Sequence, residues 1–297
     1  MDELTTRKQA CDAASCGANP SGILLNIFAP TSCMANALKI FRHPKPVIAM
    51  VHLQYKGSAQ QLIDEALTDI ERLECGGVDG LLFENWGGDY TYRLATPEDK
   101  VLVPYVMKAA SGVTKLPYGI NMLPLDYEAD FDIAKQTEAG FVQIDTFVDT
   151  VRTDYDNRFI IDIRPQDVTA YRRGRGLKDV YLFTNIQTKH YDMLPPNKKL
   201  ETSARQAIQG GADALVVTGK VTGARTPKSK LARVKAVSGD TPIFIGSGFD
   251  ADNAAELLPH ADGVICGSAF KYEGITENPV DEKRVKRIME AVFRARI

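Results

Sequence analysis

The sequence predicts one α/β domain, a (β/α)8 or TIM barrel with a short N-terminal extension, on three observations. From Pro46 onward, short apolar runs alternate with longer amphipathic stretches, the pattern of repeated βα units. Those runs are almost continuously hydrophobic, as strands are when helices cover the outer face of a parallel sheet. Near the C-terminus, Pro242-Ile-Phe-Ile-Gly-Ser-Gly-Phe249 and Ala261-Asp-Gly-Val-Ile-Cys-Gly-Ser-Ala-Phe-Lys271 each read as a buried strand ending in Gly-Ser. In a barrel, the loops after strands seven and eight often form a phosphate site, because small residues let backbone N–H groups approach an anion.

Eight strand candidates follow: Val47 to His52, Gly80 to Glu84, Tyr118 to Met122, Phe141 to Asp145, Val180 to Asn185, Ala214 to Thr218, Ile243 to Gly246 and Gly263 to Cys266. Between them lie helical patterns at Gln60 to Cys75, Pro97 to Ser111, Glu128 to Ala139, Leu200 to Gln209, Lys228 to Val237 and Ala251 to Leu258, with a last helix at Asp281 to Arg296. An open doubly wound sheet is the alternative, but eight βα units and the paired Gly-Ser turns favour closure. The helix-to-strand connectors carry aspartates (Asp79, Asp213, Asp262) at strand N-termini, the face of a barrel concerned with stability, so they are set apart from the active site.

At 297 residues the chain accommodates one barrel, placed at 45–297, with residues 1–44 as an extension or arm. A net charge of −2, from 36 basic and 38 acidic residues, gives no global reason to expect nucleic acid or an anionic membrane as partner. The five cysteines (Cys11, Cys16, Cys33, Cys75, Cys266) lack zinc-site spacing and read as reduced thiols. No apolar run reaches the ~20 residues that span a bilayer. A cytoplasmic protein is expected; the N-terminal stretch, with Asp2, Glu3 and Asp12 against Arg7 and Lys8, makes a mitochondrial presequence the lesser reading and suits an arm packed on the barrel floor or on a second subunit of a homo-oligomer.

Barrel chemistry sits where strands end, so the residues after each apolar run are the ones to weigh. His52 ends the first run, followed by Lys56-Gly57-Ser58. The second ends in Glu84-Asn85-Trp86-Gly87-Gly88-Asp89, the third in Asn121, and the fourth in Asp145-Thr146, with Arg152 and Asp154 in the loop beyond. Glu84 and Asp145 are carboxylates where packing alone favours apolar residues, which suits a general acid/base pair; ion pairing to Lys189 or Arg152 is the structural alternative. His52 is an acid/base candidate or a core histidine. Lys189 and His190 share one mouth loop, where a lysine can hold an anion and a histidine can titrate near neutrality. Asn85, Asn121, Asn185, Thr218 and Gly219 are candidate substrate contacts. Gly246, Ser247, Gly248, Gly267, Ser268 and Lys271 form the candidate phosphate site. Glu84, Asp145 and Asp154 could supply oxygen ligands to Mg2+, although no motif demands a metal. The basic run Arg172-Arg173-Gly-Arg175 with Lys178 has no stacking platform beyond Tyr171 and reads as a solvated helix face.

Val47-Ile-Ala-Met-Val-His-Leu53, Gly77-Val-Asp-Gly-Leu-Leu-Phe-Glu-Asn85, Thr188-Lys-His190, Ala212-Asp-Ala-Leu-Val-Val-Thr-Gly219, and Gly263-Val-Ile-Cys-Gly-Ser-Ala-Phe-Lys271 with Asn278-Pro-Val-Asp281 together resemble the BtpA/SgcQ family from about Pro46 to the C-terminus. The resemblance implies a phosphate-binding barrel. It leaves two roles open, since one branch is associated with photosystem I biogenesis and another with sugar-uptake operons. The chain departs from the family pattern at Gln54-Tyr55-Lys56-Gly57-Ser58 and after Thr153-Asp154. The leading expectation is an enzyme using acid/base chemistry on a small phosphorylated metabolite, a sugar phosphate or ribosyl compound. Isomerisation, aldol-type cleavage and N-glycosidic cleavage stay open. A non-catalytic assembly factor is the second reading.

Overall fold

A computed structural model of the protein describes residues 37–86, 94–153, 159–221 and 223–296. The extension up to residue 36, Cys11, Cys16 and Cys33, and the loop residues Gly87, Gly88, Asp89, Asp154 and Thr222 lie outside the described residues. The strands are β1 (Val47–His52), β2 (Gly80–Glu84), β3 (Tyr118–Asn121), β4 (Phe141–Ile144), β5 (Thr150–Thr153), β6 (Ile160–Ile161), β7 (Tyr181–Ile186), β8 (Tyr191–Leu194), β9 (Ala214–Val217), β10 (Ile243–Ile245) and β11 (Gly263–Cys266). The helices are α1 (Ala59–Cys75), α2 (Pro97–Ser111), α3 (Tyr127–Thr137), α4 (Pro165–Gly174), α5 (Leu200–Gln209), α6 (Lys228–Ser238), α7 (Ala254–Leu257) and α8 (Glu282–Ala295). Among the described residues, eight strands close in the order β1-β11-β10-β9-β7-β4-β3-β2, and their pairings are parallel.

Period-two alternation divides each strand between two cores. Val47, Ala49 and Val51 of β1, like Leu81 and Phe83 of β2, face outward and pack under the helices. Ile48, Met50, Leu82, Phe141, Phe183, Val216, Phe244 and Ile265 point inward and fill the barrel. The interior is packed rather than hollow: Phe183 stacks on Phe141 at 4.8 Å between ring centroids and lies 4.9 Å from Phe244. Rings this large need small neighbours at the same level. A Cβ on Gly119 would lie 2.4 Å from the Phe141 ring, and one on Gly263 would lie 2.2 Å from Phe244, so both positions require glycine. Phe41, entering from the 3-10 turn Ala37–Ile40, meets Phe141 edge-on at 6.0 Å and closes the floor.

The connector aspartates hold the floor together. Asp79 accepts from Val47 N at 2.8 Å, Asp213 from Leu182 N at 2.8 Å, and Asp262 from Ile243 N at 3.0 Å. Each also has a basic partner: Arg296 and His43 at Asp79, Arg172 at Asp213, and Lys235 at Asp262. One carboxylate thus ties the start of its own strand to the start of the strand before it and to a surface cation. Arg172 corrects the reading of the basic run as wholly solvated. Its guanidinium bonds Asp213 at 2.9 Å and the carbonyls of Leu177 and Lys178, so this arginine ties the α4–β7 turn to the connector aspartate.

Two further departures from the sequence reading have local causes. β5, β6 and β8 form an antiparallel sheet outside the barrel, joining the loops after β4 and β7, where only loops were expected. Helix α7 starts at Ala254 rather than Ala251 because Asp250 Oδ1 accepts the N–H groups of Asp252 and Asn253 at 2.9 Å, holding that segment in a side-chain-capped turn.

Candidate active site

Three adjacent strands deliver polar side chains at one level. The register pairs His52 with Glu84 and Glu84 with Asn121, so the last residue of β1, β2 and β3 forms a row inside the mouth. Next to β3, β4 and β7 are paired through Ile144 and Thr184, and the next residues, Asp145 and Asn185, face each other. The row closes through hydrogen bonds. Asn121 Nδ2 donates to Glu84 Oε2 at 3.1 Å and reaches Asp145 Oδ1 at 3.4 Å; Asn185 Nδ2 donates to the same Asp145 oxygen at 2.8 Å, and Gln143 Nε2 approaches it at 3.4 Å. His52 Nε2 lies 3.9 Å from Glu84 Oε1.

This environment separates the two carboxyl groups. Burial, with the nearby charge of Asp145 adding to it, pushes Glu84 up to about 8, so it holds its proton at neutral pH. Burial also raises Asp145, but Lys189 opposes the shift, and the amides of Gln143 and Asn121 donate to its ionised form. His52 is driven well below its usual range, first by burial and then by the positive charges of Lys271 and Lys189, and stands neutral. Among the described residues, His52 Nδ1, Gln143 Oε1 and Asn185 Oδ1 are buried and have no hydrogen-bond partner, which leaves polar capacity for a ligand.

The row opens into a cavity of about 580 Å3, within the usual range for small-molecule sites. His52, Glu84, Asp145, Asn185, Lys189, His190 and Thr218 line one side, and Gly246, Ser247, Gly248, Gly267 and Ser268 line the other. The glycines are sterically required. Gly248 has φ 62°, and a Cβ there would lie 2.3 Å from the backbone of Ala224 and Arg225; one on Gly267 would lie 2.8 Å from His52 Cε1. The wall therefore offers backbone rather than side chain to a ligand. In the opposite loop, Gln187 (φ 46°) and His190 (φ 67°) hold left-handed conformations unusual for residues with side chains. Asp149 fixes them by accepting from Gln187 N at 2.8 Å, while the Thr188 hydroxyl bonds Asp145 O. Strain of this kind collects where a loop must present side chains in one orientation.

Other candidates fall outside the cavity. Asn85 bonds both the carbonyl and the N–H of Leu123, at 3.1 and 2.7 Å, and fixes the loop after β3. The Gly219 N–H donates to Ser247 Oγ at 2.7 Å and so supports the Gly-Ser turn from behind. Asn121 acts on the two carboxyl groups without lining the cavity. Lys271 is a correction: it is 1% exposed and its Nζ is 2.7 Å from Asp69 Oδ2 on α1, because a buried ammonium needs a charged partner and the helix supplies one. Several lining residues were absent from the expected set, Gln143 and Arg284 among them. Gln143 stands two positions before Asp145, on the same inward face, and strand periodicity could have found it. Arg284, on α8, carried no signal, since the last helix is basic along its length. Among the described residues no group of three metal-ligating side chains gathers, and Asp154, the third proposed Mg2+ ligand, is outside them.

A closed parallel βα barrel with its polar cluster at the strand C-termini is a TIM barrel. The chain belongs to the BtpA family, whose sequence model matches residues 43–294. It is 32% identical over 254 residues to an uncharacterized protein of Thermococcus kodakarensis, covering 83% of this chain and 94% of that one. It is 29% identical over 262 residues to the photosystem I biogenesis protein BtpA of Synechocystis sp., covering 85% and 89%. Among solved structures, phosphoribosyl anthranilate isomerase from Thermus thermophilus superposes with a TM-score of 0.54 at 12% identity, over 84% of this chain and 98% of that one, a likeness of fold alone. Among the described residues, no helix is long and apolar enough to cross a membrane.

Proposed function

We propose that the protein is an enzyme acting on a small phosphorylated metabolite, a sugar phosphate or ribosyl compound, by acid/base chemistry at the barrel mouth. The observation that carries this reading is the Asn121 bridge between two buried carboxyl groups held in different environments. Glu84 carries a proton at neutral pH and acts as general acid. Asp145, whose ionised form is supported by amide donors and by Lys189 against the burial that raises it, acts as base. The glycine wall at 246–248 and 267–268 receives the phosphate through backbone N–H groups, and that anchoring orients the reacting end toward the carboxyl pair. Lys189 and His190 supply positive charge or a proton where negative charge develops, and neutral His52 accepts a hydrogen bond or a proton.

A thermal-shift screen against sugar phosphates, nucleoside monophosphates and free phosphate tests the reading, because a ligand of the native state raises the melting temperature by mass action. The expected result is a shift with one class of phosphate ester that disappears in Ser268→Glu. No shift with any phosphorylated compound would overturn the enzyme reading in favour of a non-catalytic assembly factor, a reading in keeping with the Synechocystis relative's name, photosystem I biogenesis protein BtpA.

A further inference from the structure

We infer that Arg284 is the cationic group of the phosphate subsite and that the ligand it selects is a phosphate monoester dianion; this deepens the proposed function and rests on it. A glycine wall supplies dipoles but no charge, and a dianion brought into a partly closed cavity needs a cation. Lys271 was the sequence candidate, yet its ammonium is held by Asp69 away from the cavity.

Arg284, on the third residue of α8, lines the same cavity wall as Gly248, Gly267 and Ser268. Its Nε donates to Ala269 O at 2.9 Å, in the turn directly after Gly267-Ser268. Anchoring through Nε fixes the plane of the guanidinium and leaves both terminal nitrogens available. One of them lies 3.6 Å from the position a Cβ on Gly274 would occupy, and Gly274 also lines the cavity.

Among the described residues, no carboxylate lies within ion-pair distance of Arg284, whereas Arg287 on the same helix is paired with Asp252 at 2.7 Å. The acids on the same wall are otherwise engaged. Asp250 Oδ1 accepts two backbone N–H groups, and Glu277 Oε1 accepts from Trp86 Nε1 at 3.2 Å. A half-buried guanidinium, oriented at one nitrogen and without a counter-ion, beside backbone that glycine keeps bare, fits a phosphate bidentately.

The test measures binding of ribose 5-phosphate and inorganic phosphate by titration calorimetry to four proteins: wild type, Arg284→Gln, Arg284→Lys, and the paired change Lys271→Met with Asp69→Asn. The expected result is a loss of ~10- to 100-fold in affinity for both ligands in Arg284→Gln, the range of a charge-assisted hydrogen bond. Arg284→Lys recovers part of it, and the paired change leaves affinity as in wild type. Wild-type affinity in Arg284→Gln would overturn the assignment while leaving the phosphate site standing. No binding of either ligand by wild type would overturn the phosphate reading and this inference with it. Should Arg284→Gln fail to fold, phenylglyoxal modification of wild type decides the matter. Phosphate slows modification of Arg284, read by peptide mass, if the assignment holds, and leaves it unchanged if it does not.

Discussion

Asn121 Nδ2 donates to Glu84 Oε2 at 3.1 Å, and this one amide fixes the orientation of a carboxyl group whose proton affinity is set by burial. The bond crosses from β3 to β2 in register, so Glu84 is positioned by the barrel itself rather than by a loop.

Glu84→Gln keeps the shape and the capacity to bond Asn121 but removes the titrating proton. Turnover on the substrate is expected to fall ~100-fold or more while ligand binding persists. Unchanged turnover would remove Glu84 from the mechanism.

The same variant reports on stability against pH. Burial raises the Glu84 carboxyl from its ordinary 4.5 in the unfolded chain to about 8 in the folded one. Below the unfolded value both states are protonated and the contribution is complete. As pH rises toward 8 only the folded state keeps the proton, so the contribution is lost through that window. The melting temperature of wild type minus that of Glu84→Gln should therefore decline from pH 5 to pH 9, and a flat difference would mean that Glu84 titrates normally.

Asn185→Ala removes the shortest hydrogen bond to the Asp145 carboxylate, at 2.8 Å. With less support for its ionised form, Asp145 should hold its proton to higher pH, and the acid limb of the pH–rate profile should move up by about one unit. A profile that loses height without moving would assign Asn185 to substrate contact alone.

Gly248→Ala places a methyl group against the backbone of Ala224 and Arg225 at a residue with φ 62°. The expected loss of stability is ~1–3 kcal/mol, read by urea titration, with disappearance of any phosphate-induced thermal shift. A variant that binds phosphate normally would show that the wall does not need its bare backbone.

Much of the fold was legible because barrel strands are buried on both faces and are separated by amphipathic helices. The bounds of β1, β2 and β11 coincide with their apolar runs. Glu84 and Asp145 stood out as charges ending such runs. Lys271 misled because it follows Gly267-Ser268, and nothing local reveals that its partner, Asp69, lies on a helix two hundred residues earlier in the chain. Arg284 was hidden for the same reason: an unpaired guanidinium can be recognised only once its surroundings are known. The antiparallel sheet escaped because β6 has two residues and because β5 and β8 find each other across α4 and β7.

Among the described residues, the aromatic rings plug the lower end of the barrel. With Phe41 set against Phe141 below the Phe183 and Phe244 rings, the floor offers a ligand no passage, and exchange under the proposed function would run through the mouth at the strand C-termini. On the proposed function, a product that keeps its phosphate would hold the glycine wall until it departs and bar the next substrate from the carboxyl pair. Such a site would pass one molecule at a time, with a phosphate-bearing product as its natural brake.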